Sequence, residues 1–155
     1  MKDDTETRSF GEISFYVTRA AVGVGVPFGL AEDFANSVIW VHRIGIDPAQ
    51  MAFQCLNAVD TNPTSGRVSM AQKGSAKIFS GQSGLSAVFA GPTLADFWKL
   101  TPDHAETLIG KDVDFPILIL GAMATAKAGP AALKWQNISV NIDYNGIVEV
   151  IGSDA

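Results

Sequence analysis

The stretch Ser9–Gly45, SFGEISFYVTRAAVGVGVPFGLAEDFANSVIWVHRIG, decides the fold. It reads as two amphipathic helices joined by a glycine-rich elbow. Ser9, with Glu12 three residues on, is a capping box: the serine side chain meets a free N–H of the first turn and the glutamate reaches back. Ile13, Val17, Ala20 and Val24 then recur at helical spacing and predict a buried stripe. The Gly23–Gly25 region ends this helix. Pro27 fits the first position of the second helix, where its missing N–H has no partner to lose. Leu30, Phe34, Val38 and Val41 form that helix's buried stripe, with Glu32, Asn36 and Arg43 opposite. Glu32 and Asp33 are placed in its first turn, where acids complement the helix dipole. Gly45 stops it. Helices so closely joined pack antiparallel or cross steeply.

Working outward, residues 1–8 carry no apolar pattern and read as a tail. Asp47-Pro48-Ala49-Gln50 starts a third helix, with an N-cap, a proline at the first position and a glutamine in the first turn. Ala52, Cys55, Leu56 and Val59 are its apolar stripe, and Thr61–Gly66 is a loop. Ser75–Ser80 and Leu85–Ala90 then read as strands joined across Gly81-Gln82-Ser83-Gly84. Gly91-Pro92 opens a helical turn through Leu94, Phe97 and Trp98, and Thr101-Pro102-Asp103-His104 opens another ended by Gly110. Phe115–Ala128 is apolar on all sides: a buried helix from about Pro116, closed by Gly129-Pro130, with Ile117–Leu120 readable as a strand instead. Ile138–Tyr144 and Ile147–Gly152 flank Asn145-Gly146, the signature of a type I′ hairpin with two positive φ angles. Val140, Ile142 and Tyr144 are its buried face. The expected fold is one α+β domain over residues 9–155, a helical N-terminal half packed on a small, mainly antiparallel sheet.

Composition narrows the function. Charged residues make up 17% of the 155, against roughly 25% in a typical soluble domain. Mean hydropathy is +0.20. So few charges cover a small surface poorly, which points to burial against a second copy, a homo-oligomer with a dimer as first expectation. The net charge is −5 and the Lys and Arg residues form no run, so nucleic acid is excluded as a partner. The apolar stretches Ala20–Ala31 and Phe115–Ala126 fall short of the roughly 18 residues of a membrane span. The single cysteine, Cys55, and a polar N-terminus point to the cytoplasm.

The candidate chemistry is sparse. Gly23-Val24-Gly25-Val26-Pro27-Phe28-Gly29 approaches a dinucleotide fingerprint, but the third glycine comes one residue late and a helix, not a strand, precedes it. It reads as a tight elbow whose free N–H groups before Leu30 could hold a small anion. His42 sits where it complements a helix C-terminus. Cys55, mid-helix, reads as a small buried hydrophobe. No His or Cys spacing announces a metal, and no cofactor or catalytic residue is expected. Asp96, Asp103, Asp112 and Asp114 surround the middle helices with no fixed geometry. Trp40, beside Asp33, Asn36 and Arg43, is placed at a dimer contact, with a core edge or a ligand wall as alternatives. The leading expectation is a non-catalytic homo-oligomeric accessory or binding protein. The alternative is a small enzyme or metabolite-binding protein with its site near Gly25 and Gly29, joined by Asp33, Trp40, His42 and Arg43.

Ser9-Phe-Gly-Glu-Ile, Arg19–Gly25, Gly29–Asp33 and Trp40, with Gly91–Asp96 and Pro116–Leu120 further on, resemble a family of small bacterial proteins catalogued only as a domain of unknown function. The resemblance implies one complete domain and carries over no functional residue.

Overall fold

The computed structural model describes residues 6–62, 64–101 and 107–153. The Ser9 capping box forms as expected: the Ser9 N–H donates to Glu12 Oε2 at 2.8 Å and the Glu12 N–H donates to Ser9 Oγ at 3.2 Å. It opens α1 (Phe10–Gly23), and α2 (Phe28–Arg43) follows. Pro27 stands one position before α2 rather than inside it; its carbonyl accepts the first helical bond, from the Ala31 N–H at 2.9 Å. Glu32 and Asp33 therefore belong to the second turn, past the reach of the end dipole. Gly25 and Gly45 take φ near +90°, the left-handed turn conformation that lets the chain leave each helix.

Helix α1 is rotated from its expected stripe. Ala20 faces solvent, and the buried line runs through Thr18 and Ala21. Small side chains there let α1 lie close against α2, whereas the larger Ile13 and Val17 flank the seam half-buried. Helix α2 is the central rod. Phe34, Val38 and Val41 are buried as expected, and Ala31, Ala35, Ser37 and Ile39 are buried as well. It needs this second buried face because it packs on α1 on one side and on α4 (Ala87–Leu100) and α5 (Pro116–Thr125) on the other.

Helix α3 (Ala49–Thr61) starts one residue later than expected: Pro48 stands at the N-cap rather than inside the helix, and Asp47, one residue further out, accepts the Ala49 N–H on its Oδ1 at 2.9 Å. Ala52, Cys55 and Val59 are buried. The next hairpin differs from the expected one. It pairs β1 (Val68–Lys73) with β2 (Ala76–Gly81) across Gly74-Ser75, and Leu85–Ala90 is no strand. That run leads into α4 (Ala87–Leu100), buried from Leu85 to Pro92, because a short apolar run suits a buried helix as well as a strand. Pro92 lies inside α4 rather than opening it. Gly91 of α4 sits against Ala122, where a Cβ would come within 2.9 Å, so the glycine fixes the α4–α5 crossing.

Thr107–Gly110 is strand β3, parallel to β2, not the end of a helix. Four residues in the sheet register of Ile78 and Phe79 override a weak helical pattern. Of that expected helix, Thr101 instead caps the end of α4, and residues 102–106, His104 among them, lie outside the described residues. Helix α5 (Pro116–Thr125) is apolar on all sides and almost wholly buried, which settles the helix reading for Ile117–Leu120. Then come β4 (Ala131–Trp135), absent from the expected pattern, β5 (Ile138–Ile142) and β6 (Val148–Ser153), an antiparallel sheet. The fold is α+β as expected, and among the described residues the strands form two three-stranded sheets rather than one.

The Asn145-Gly146 hairpin forms, but with one positive φ, at Gly146. The Gly146 N–H donates to the Asp143 carbonyl at 3.1 Å, and the Asp143 carboxylate accepts from the Asn145 and Ile147 N–H groups at 2.8 and 2.9 Å. That is a type I turn followed by a left-handed glycine, chosen because Asp143 satisfies the turn from inside. Val140 and Ile142 are buried, whereas Tyr144, in the turn, is 73% exposed.

Candidate functional site

The residues expected to share a site do not meet. Helix α2 rises about 1.5 Å per residue, so Gly29 and Arg43 lie about 21 Å apart along it. Gly25 and Gly29 form the exposed elbow, with no atom within 4 Å of where a Cβ would stand. His42 and Arg43 sit at the other end against α1: the His42 ring meets the edge of Phe10 at 5.9 Å, and the Arg43 guanidinium lies 4.7 Å over the same ring. These are contacts that fasten the open end of the helix pair. Trp40 is half-buried over α5, where Gly121 makes room for it: a Cβ there would stand 3.3 Å from Trp40 Cε3.

Asp33 is the candidate that does reach a cavity. With Asn36 on the same face of α2 it lines a cleft of about 280 Å³ against α4 and α5. Asp96 and Lys99 enter from α4, and Thr125 closes the end from α5. Each helix contributes at i, i+3 spacing, which sets both of its side chains on one face. Partial burial and then the charge of Asp96 raise the proton affinity of Asp33 above the ordinary carboxylate range. Two carboxylates, an ammonium, an amide and a hydroxyl around one small space can hold a polar ligand carrying positive charge. Asp33, Asn36 and Asp96 were singled out in the sequence and Lys99 was missed; its i, i+3 spacing from Asp96 was the available signal, whereas nothing local announced the α2–α4 crossing that unites them.

Cys55 is fully buried and its Sγ–H donates to Asp114 Oδ2 at 3.5 Å. Burial first, then the Asp114 charge, push the thiol up, so it is held as a neutral thiol. Among the described residues no three His, Cys, Asp or Glu side chains gather as a metal site requires. None of the described helices is long and apolar enough to cross a membrane.

An α+β domain built on a central helix pair is thus the class that fold and cleft define. Residues 8–78 match a family described as protein of unknown function (DUF3726), which bears out the resemblance drawn from Ser9–Ile13, Arg19–Gly25, Gly29–Asp33 and Trp40; Gly91–Asp96 and Pro116–Leu120 lie outside the matched span. The matched span covers α1, α2, α3 and the first hairpin as far as Ile78, and includes Asp33 and Asn36. No curated protein and no solved structure matches the chain.

Proposed function

We propose that this chain is a non-catalytic accessory or binding protein of the bacterial cytoplasm that works as a homo-oligomer, a dimer first. The observation that carries this is an apolar trough of about 450 Å³ between α1 and α3, rimmed by Tyr16 and Phe53 and floored by Val17, Ala52 and Leu56. Phe53 is 64% exposed beside it. A knob next to a hole on one face is what a two-fold interface needs, since each copy then fills the other's trough. The trough, rather than Trp40, is the expected contact, because Trp40 is engaged with α5. Phe53→Glu is expected to halve the native mass in light scattering at micromolar concentration and to leave the circular dichroism unchanged. An unchanged mass, or a parent protein that is already monomeric, sinks the reading.

The Asp33–Asp96 cleft favours a second reading, a small-metabolite binder for amine-bearing compounds. The ammonium would sit between the two carboxylates and a ligand oxygen would face Lys99. Titration calorimetry with putrescine, ornithine and lysine is expected to show binding that Asp33→Asn weakens at least about tenfold, worth about 1.4 kcal/mol. Asp33 takes up its proton at a higher pH than an ordinary carboxylate, so affinity should fall on acidification before other carboxylates titrate. If none of the three binds at millimolar concentration, the cleft is structural.

A further inference from the structure

The two sheets face each other with edge strands. Among the described residues, β3 pairs with β2 alone and β4 with β5 alone. Helices α4 and α5 pass beneath both: Leu94 and Trp98, with Ile119 and Met123, floor a groove whose walls are Thr107-Leu108 and Ala131–Leu133. At one end the groove widens between Thr107 and Pro130, and at the other between Gly110 and Trp135. β3 and β4 therefore run in the same direction and in step.

The backbone in this groove is exposed by geometry. In the parallel β2–β3 ladder, Thr107 and Lys111 donate to Ser75 and Phe79 at 3.3 and 2.9 Å. Alternation then turns the N–H and C=O of Leu108 and Gly110 away from β2, towards the groove. In the β4–β5 hairpin, Trp135 pairs with Ile138 across a two-residue loop. The same alternation turns Ala132 and Lys134 towards the groove from the other side. Among the described residues no strand is paired to either edge. Two such edges facing each other are a template for one more strand.

We propose that this groove binds an extended peptide from another protein. The peptide runs antiparallel to both β3 and β4 and joins the two half-sheets into one of seven strands. Antiparallel pairing gives the straighter hydrogen bonds, and alternate residues of one strand serve the two sides. The central groove offers about 170 Å³, and its floor residues Leu94, Ile119 and Met123 are already at most 7% exposed. The occupant's inward side chains must then be small and apolar. Its C-terminal end lies in the wide trough that carries Asp143 and Glu149 and, among the described residues, no basic side chain. A lysine or arginine there complements that charge. This surface is separate from the α1–α3 trough, so self-association and peptide capture stand or fall independently.

The test uses the whole chain and two capped nonapeptides of alternating alanine and valine, one ending in two lysines and the other beginning with them. The first is expected to bind about tenfold or more tightly than the second, and to slow exchange at the Leu108, Gly110, Ala132 and Lys134 amides. Ala132→Pro removes one groove-facing N–H without touching the β5 ladder, and proline is tolerated on an edge strand. It should weaken binding at least about tenfold. If that variant melts early, the exposed Glu149→Lys serves instead, and should abolish the preference for C-terminal lysines. No binding at millimolar peptide, or binding that leaves the four amides unprotected, overturns the proposal. So does a parent protein whose four amides are protected before any peptide is added and lose that protection on dilution, since the occupant is then a second copy.

Discussion

Gly129→Ala is expected to lower stability by about 3 kcal/mol, the upper end for overpacking a well-filled site. A Cβ on Gly129 would collide with the backbone carbonyl of Asp143 and stand 2.8 Å from the Ile142 oxygen. Neither obstacle can step aside. The Asp143 carbonyl already accepts from Gly146, and the Asp143 N–H donates to the Ile147 carbonyl at 3.0 Å, so the whole turn is fastened. The strain therefore passes to the docking of the C-terminal sheet on α5. For a chain of this size the melting temperature should fall by about 6–12 °C. The comparison is Gly29→Ala, where open space surrounds the new methyl and the site is helical. There alanine gains up to about 1 kcal/mol from its helix propensity. A Gly129→Ala protein melting within about 2 °C of the parent would show that the sheet does not dock through this contact.

The same contrast explains how much was legible in the chain. Ser9, Glu12, Gly25, Gly45 and Asp47 act on neighbours within a few residues, so the first three helices were readable to within a residue or two. The Phe34, Val38 and Val41 stripe was readable because helical period and burial coincide. What failed was decided at long range. Leu85–Ala90 carries the composition of a strand but is surrounded by core, so helix and strand are equally apolar choices there. Val68–Lys73, mostly exposed, has no alternation to announce it; pairing with Ala76–Gly81 makes it a strand. The candidate site failed the same way. Gly25, Gly29, His42 and Arg43 were grouped by closeness in sequence, yet a 16-residue helix separates its own ends. Asp33 reached a cleft because its partners Asp96 and Lys99 come from another helix, and no local rule links them.

Asp114 is the sharpest case of such a long-range determinant, and its removal is expected to cost about 2 kcal/mol. Ser86 holds the N-cap position of α4, but its own hydroxyl makes no capping bond. Asp114 supplies that bond from 27 residues away: the Ala87 N–H donates to its Oδ1 at 2.8 Å. The same oxygen accepts the Phe115 N–H at 2.8 Å at the entrance to α5. The other oxygen takes the Cys55 thiol of α3. One carboxylate thus ties three helices, and each lost cap is worth about 1 kcal/mol. Asp114→Ala should lose both caps, while Asp114→Asn keeps an acceptor for them and should lose about half as much. Cys55 supplies an independent readout. It is fully buried, so a thiol reagent reaches it through opening of the α3–α4 packing. A loss of about 2 kcal/mol should speed that labelling about thirtyfold. If Asp114→Ala melts lower but labels at the parental rate, the carboxylate holds α4 and α5 together without reaching α3. If neither quantity moves, Asp114 caps nothing that the fold depends on.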